Sequence, residues 1–167
     1  FVQCAGSRDE NHLAYCSGVC CLASLKQATY VREQLPEAKV TVCFIDIRTP
    51  DRLEDFYAKV QADEGVTFTK SKIADITENA ETGELTVHGE DTLAGKRLDT
   101  TADLVVLATG LVPNGASVEL AADDYGFLLD DQPAGHFPAG CVMQPVEVSS
   151  TVQDGTAAAL RAIQAAR

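Results

Sequence analysis

"KVTVCFIDI" (residues 39–47) decides the fold. It is an unbroken apolar run rich in β-branched residues, the kind of strand that lies buried on both faces of a parallel sheet. Ahead of it, apolar residues recur at helical spacing from Cys16 to about Leu35, through Val19, Leu22, Leu25, Ala28 and Val31. Pro36 ends that pattern, because it cannot donate the next helical hydrogen bond. Further back, "FVQCAGS" (1–7) reads as a short strand that turns at Gly6. Downstream, "TPDRLEDFYAKVQADEG" (49–65) is a helix with Pro50 at an early position and Gly65 at its stop. "VTFTKSKIADITEN" (66–79) is a third strand that runs on. "ETGELTVHG" (81–89) and "GKRLDTTAD" (95–103) pair as a hairpin with turns at Gly83 and Gly95. "DLVVLATGLVPN" (103–114) is another buried strand, "GFLLD" (126–130) and "FPAGCV" (137–142) are short strands, and Ser149 to Arg167 is a closing helix.

Strand, helix, strand, helix, strand, hairpin, strand is the order of an α/β unit. It predicts a Rossmann-like parallel sheet with helices on both faces and an inserted β-hairpin. Pro113, Asn114 and Gly115 break the pattern, so two domains are expected. Residues 1–112 form the Rossmann-like domain that carries the cysteine motif, and residues 113–167 form a strand–helix piece of a second domain. The chain opens on Phe1 inside a strand and closes at Arg167 inside a helix, which predicts a piece of a longer polypeptide.

The net charge of −12 argues against nucleic acid, whose phosphates need a basic face, and against an anionic membrane surface. It suits solubility, or a basic protein partner. No apolar run reaches the roughly 20 residues of a spanning helix, and no signal peptide is visible. The expected setting is therefore cytoplasmic, with any membrane association made through partner subunits.

A nucleotide-binding unit carries G-x-G-x-x-G where its first strand meets its first helix. Here that place holds "CAGSRDENHLAYCSGVCC" (4–21), with cysteines spaced C-x11-C-x3-C-C. The missing glycines speak against NAD(P)H. Asp46, at the end of the second strand, stands where a ribose partner could sit. Cys16 and Cys20 are one helical turn apart, and Cys21 points about 100° further round. Such a fan suits a four-thiolate 4Fe-4S cluster on Cys4, Cys16, Cys20 and Cys21. A tetrahedral zinc site usually uses separated pairs, so adjacent Cys20 and Cys21 are awkward for it. Zinc, thiol or disulfide chemistry, and packing alone stay open on spacing alone. Cys43, inside the buried strand, reads as a small apolar residue. No Ser/His/Asp or paired-carboxylate arrangement stands out. His12, between the ligand cysteines, reads as a loop residue.

Four stretches then carry a family. "FVQCAGSRDE…YCSGVCCLASLKQA", "FYAKVQADEGVTF" and "ADLVVLATGLVPN" resemble the heterodisulfide reductase A-subunit group of flavoproteins. "AGCVMQPVEVSSTVQDGTAAAL" resembles the branch of that family found in quinone-interacting membrane-bound oxidoreductase complexes. The resemblance implies a thioredoxin-reductase-like fold in which residues 1–112 form the second dinucleotide-binding domain and residues 113–167 belong to an FAD-binding domain. It implies an oxidoreductase that relays electrons between a 4Fe-4S cluster, FAD and partner redox subunits, with the cluster on the same four cysteines. It also implies an FAD half-site at Ala108, Thr109 and Gly110, at Gly140 and Cys141, and at the helix start, Val148 and Ser149. Cys141 stands where the family's flavin-facing Asp is expected. Most of the FAD site is expected outside this sequence, so the chain alone should hold little FAD.

Overall fold

The computed structural model describes residues 1–50, 52–115 and 118–167. These fall into two compact units. The first comprises Phe1–Ala14 and Cys20–Thr109, and the second Tyr15–Val19 and Gly110–Arg167.

The first unit is built on helix α1 (Cys20–Gln34), strand β1 (Val40–Phe44), helix α2 (Leu53–Gln61) and strands β2 (Val66–Glu78), β3 (Leu85–Asp91) and β4 (Lys96–Ala102). The four strands form one sheet in the order β1-β2-β3-β4. β1 pairs parallel with the first part of β2, from Val40↔Val66 to Phe44↔Lys70. The rest of β2 pairs antiparallel with β3, with a register shift between Ile73 and Asp75, and β3 pairs antiparallel with β4. β2 is thus a single long strand shared by the parallel sheet and the hairpin. The hairpin's turn glycines, Gly83 and Gly95, have φ of 73° and 62°.

The "FVQCAGS" and "DLVVLATG" strands are shorter than expected. Each is reduced to a parallel bridge, Val2↔Cys43 and Val2↔Leu107. Those bridges still fix the topology. Val2 lies between β1 on one side and Leu107 on the other, so the parallel order is β2, β1, Val2, Leu107. Main-chain bonds lace the seam: Val2 N–H donates to Val106 O, Ala108 N–H to Val2 O, and Gln3 N–H to Cys43 O, each at 2.9 Å.

The core joins Leu25 and Ala28 of α1, Val40 and Val42 of β1, Val60 of α2 and Val66 of β2, with Phe1, Phe56, Tyr57 and Phe68 packed around them. Val40 and Val42 alternate onto one face of β1, so both helices cover that same face. The expectation of helices on both faces is corrected for this unit. From Val2 to β1 and from β1 to β2 the chain steps in the same direction. Two right-handed crossovers that step the same way land on one side. Helix α1 begins at Cys20 rather than Cys16, because Gly18, with φ of 71°, has left-handed backbone that a helix cannot run through.

Among the described residues of the second unit, the expected strands are largely absent. "GFLLD" contributes only the bridge Ala122↔Leu128, and "FPAGCV" contains a 3-10 turn, Gly140–Val142. Phe127 and Leu128 are buried without a ladder to join. Helix α3 (Val148–Ala165) closes the unit. Among the described residues, no helix is long and apolar enough to cross a membrane.

Candidate functional site

Three of the four motif cysteines, Cys4, Cys20 and Cys21, belong to the first unit; Cys16 belongs to the second. Cys4 follows the Val2 bridge, at the carboxyl end of its segment, and Cys20 and Cys21 open α1. In an open parallel sheet, ligands gather at the carboxyl ends of the strands where the winding reverses. Here that point is the seam between the Val2 and Leu107 segments.

Asp46 meets one of these cysteines directly and is linked to a second through Arg8. The buried Cys21 thiol donates to its carbonyl at 3.9 Å. Its carboxylate holds Arg8, with Nη1 to Oδ1 at 2.6 Å, and Arg48 Nε stands 3.4 Å away. The Arg8 guanidinium also bonds the Cys4 side chain. Partial burial works against its charge, but the bond to Asp46 and the proximity of Asp46 and Cys4 outweigh burial and raise its pKa. Asp46, read as a possible ribose partner, is thus already engaged by two arginines. Among the described residues, the non-glycine positions with positive φ are Cys4 (56°) and Arg8 (57°). Left-handed backbone costs roughly 1–2 kcal/mol for a residue with a Cβ. The strain falls on the two residues whose side chains meet.

The loop between them closes on itself. Leu13 N–H donates to Gly6 O, Asp9 N–H to Leu13 O, and His12 N–H to Asp9 O. His12 is an exposed loop residue, as expected. Ala5 N–H donates to Ala108 O at 3.1 Å, and the Ser7 hydroxyl donates to Thr109 O, also at 3.1 Å. Both carbonyls of "AT" in the "ATG" segment are therefore engaged by the chain's own turn.

Beside Cys4 lies a residue that the motif reading passes over. Gln3 is 5% exposed, and neither Nε2 nor Oε1 has a hydrogen-bond partner. A buried polar group left unpaired costs roughly 1–3 kcal/mol. The signal is visible in sequence, as an amide at an inward position between Val2 and Cys4.

In the second unit, Gly18 N–H donates to Cys16 Sγ at 3.4 Å. The segment is pinned by Tyr15, whose hydroxyl donates to Leu111 O at 2.9 Å, and by Ser17 Oγ, which accepts from Leu111 N–H at 2.8 Å. Gly18 has φ of 71°, and a Cβ there would sit 2.9 Å from Pro145 O. Gly110, of "ATG", has φ of 108°. Gly140 has φ of 66°, and a Cβ there would meet Thr151 Cγ2 at 2.6 Å. Cys141 donates to Val146 O at 3.4 Å and meets Thr151 Oγ1 at 3.6 Å. Turn geometry alone therefore accounts for Gly140 and Cys141.

The α3 start, expected to face a pyrophosphate, carries its own anion. The Glu147 carboxylate accepts from Ser149 N–H at 2.5 Å and Ser150 N–H at 2.7 Å. The Ser150 hydroxyl and these backbone donors hold its pKa below the usual carboxylate value. A phosphate at Val148 and Ser149 would have to displace a like charge, so this end does not fit a dinucleotide.

Outside the motif, burial pushes the Cys43 thiol pKa up, in keeping with a small apolar role. On the hairpin, Thr77 Oγ1 lies 2.9 Å from His88 Nε2, and His88 Nδ1 lies 2.7 Å from Asp99 Oδ1. This Thr–His–Asp series, which no sequence spacing identifies, cross-braces β2, β3 and β4 on an exposed face.

Among the described residues, no three His, Cys, Asp or Glu side chains converge as a metal-ion site. A zinc ion needs all its ligands at one centre. A 4Fe-4S cluster asks less convergence, since each thiolate holds a different iron. The donor chemistry of the four thiols and the orphaned amide beside Cys4 both fit such a group.

No established family profile matches the chain. Curated proteins do. It is 35% identical over 182 residues, 99% of its length, to an iron-sulfur A-subunit of CoB–CoM heterodisulfide reductase from Methanopyrus kandleri. The chain belongs to the heterodisulfide reductase A-subunit family. It is also 35% identical over 178 residues to the A-subunit of ferredoxin:CoB–CoM heterodisulfide reductase from Methanosarcina acetivorans, a match that covers 96% of this chain. Over a shorter stretch of 123 residues, 72% of the chain, it is 44% identical to the A-subunit of H2/formate:CoB–CoM heterodisulfide,ferredoxin reductase from Methanococcus maripaludis. These matches cover 28%, 22% and 19% of the relatives' own lengths, so the chain spans about a quarter of them or less. All three relatives are named as reductase subunits.

Proposed function

We propose that this chain is the iron–sulfur portion of an electron-relaying oxidoreductase, with a 4Fe-4S cluster on Cys4, Cys16, Cys20 and Cys21. The observation that carries the reading is the C-x11-C-x3-C-C motif at the winding reversal of the sheet, in place of a nucleotide fingerprint. The relatives' names support it, one of them naming an iron-sulfur protein. Bound there, the cluster supplies one-electron transfer. The chain's own part is to supply the thiolates, to offset their charge with Arg8, and to hold the turn by the bonds of Ala5, Ser7 and Asp46 so that it takes no nicotinamide nucleotide. Partner redox subunits give and take the electrons, in a complex of the heterodisulfide-reductase or quinone-linked kind. FAD belongs to the reading through the family, with Ala108, Thr109 and Gly110 as its remaining candidate contacts. The Glu147-capped start of α3 is not assigned to it.

Iron and sulfide analysis of the full-length protein made without oxygen tests this reading. About four irons per chain are expected, with a broad absorption near the visible edge that zinc would not give. Cys20→Ser should lower the iron content. Unchanged iron in that variant removes Cys20 from the ligand set, and iron-free native protein removes the cluster.

A further inference from the structure

Gln3 is a buried amide that the fold of this chain leaves unexplained. Its main chain is accounted for, since its N–H donates to Cys43 O at 2.9 Å. Its side chain is not. At 5% exposure both amide atoms are sealed from solvent, and neither has a partner. Native proteins pair nearly all buried polar groups, and an exception calls for a strain, catalytic, redox or ligand explanation. A leucine or methionine would fill the same volume without that cost.

Its position says what it could serve. Phe1, Val2 and Gln3 run extended against β1, with Cys43 N–H donating to Phe1 O. Phe1 packs on the core face that α1 covers. Side chains alternate along an extended segment, so Gln3 shares that face. It lies at the carboxyl end of its segment, one residue before Cys4, and α1, which opens with Cys20 and Cys21, covers the same face through Leu25 and Ala28. A buried N–H donor without a protein partner, on the residue next to a proposed cluster ligand, is the kind of group that tunes an iron–sulfur centre, because N–H···S bonds favour the more negative, reduced state.

We propose that Gln3 donates its side-chain amide to a sulfur of the cluster and so raises the cluster's reduction potential. This rests on the cluster reading above. The amide transfers no proton or electron; its N–H dipole stabilises the reduced cluster.

The test uses the full-length protein in its complex, prepared without oxygen, with glutamine side-chain amides labelled with heavy nitrogen. Pulsed electron paramagnetic resonance of the reduced cluster should show coupling to one labelled nitrogen, and Gln3→Met should abolish it. Gln3→Met should also keep its iron, show a lower midpoint potential, and unfold in the cluster-free state no more easily than the native protein. A merely structural amide would move neither the coupling nor the potential. Should Gln3→Met fail to fold, the native protein still decides by the presence or absence of the labelled coupling. Iron-bearing protein without that coupling, or Gln3→Met with unchanged potential, overturns this proposal and leaves the cluster reading standing. Iron-free native protein overturns both.

Discussion

Gly140 belongs to the FAD half-site that the family resemblance implies, yet the turn itself explains a glycine there. Gly140→Ala separates the two. Its φ of 66° is left-handed, which costs an alanine roughly 1–2 kcal/mol. The added Cβ would also stand 2.6 Å from Thr151 Cγ2, where ordinary contact begins at 3.4 Å. Thr151 is not free to turn away. Its hydroxyl donates to Glu147 O at 3.0 Å and meets Cys141 Sγ at 3.6 Å. Relieving such an overlap typically costs about 1–3 kcal/mol. The substitution should therefore destabilise the second unit by about 2–5 kcal/mol, a fall in thermal midpoint of roughly 10 °C or more.

Thr151→Ser removes the clashing methyl and keeps the hydroxyl. In that background Gly140→Ala should retain only the backbone cost, so the double-mutant cycle should show coupling of about 1–3 kcal/mol, the overlap term. Thermal unfolding followed by far- and near-ultraviolet circular dichroism measures all four proteins, and coincidence of the two signals checks two-state behaviour. A Gly140→Ala protein within about 0.5 kcal/mol of native would refute the reasoning. So would equal losses in the two backgrounds.

Two further outcomes follow from the same geometry. The folded-state pKa of Glu147 is depressed below 4.5 by the Ser150 and Ser149 donors, so its contribution is present above the unfolded value and is lost as pH falls through the folded one. Glu147→Ala should lower the midpoint of α3 melting at neutral pH and flatten its acid limb; an unchanged acid profile sinks the capping argument. NADH and NADPH should give no binding heat with the cluster-loaded protein at millimolar concentration, since the turn lacks the glycines and Asp46 is held by Arg8 and Arg48; micromolar binding would show that this turn takes a nicotinamide nucleotide and overturn the argument.

The parts of the fold legible in sequence are those whose signal is local. β1 shows its burial on both faces as a continuous apolar run, and the apolar spacing of α1 finds Leu25 and Ala28 of its inward face but not the polar Ser24 between them and Cys21. The hairpin shows itself in two turn glycines. "GFLLD" misleads because burial of Phe127 and Leu128 reads the same whether or not a strand lies alongside. A ladder needs a distant partner, and no periodicity reports one. The Arg8–Asp46 pair joins positions 38 residues apart, one in a loop and one past a strand end, so no spacing rule finds it. Glu147 escapes for another reason: the favoured cap residues are Ser, Thr, Asp and Asn, and a longer carboxylate is not the usual signal. Gln3 stands in plain view, but the apolar pattern of its neighbours reads straight across it.

The electrostatics around Cys4 bear on the proposal that this crevice takes sulfur rather than phosphate. A phosphate at a Rossmann turn relies on unengaged backbone donors and a helix start. In this turn Ala5 N–H and the Ser7 hydroxyl already donate to Ala108 O and Thr109 O, and α1 starts with two thiols. The charge that remains is local and positive. Arg8 and Arg48 both stand at Asp46, two cations against one anion, in a chain whose net charge is −12. A thiolate-bound cluster is an anion that needs such an excess nearby, since at the effective dielectric of about 20 found near protein surfaces a neighbouring opposite charge is worth several times its value in water. Replacing Arg8 by glutamine would leave Asp46 facing Arg48 alone and remove the cation beside Cys4. The backbone strain carried at Cys4 and Arg8 is then intelligible as the cost of aiming that cation at that thiol.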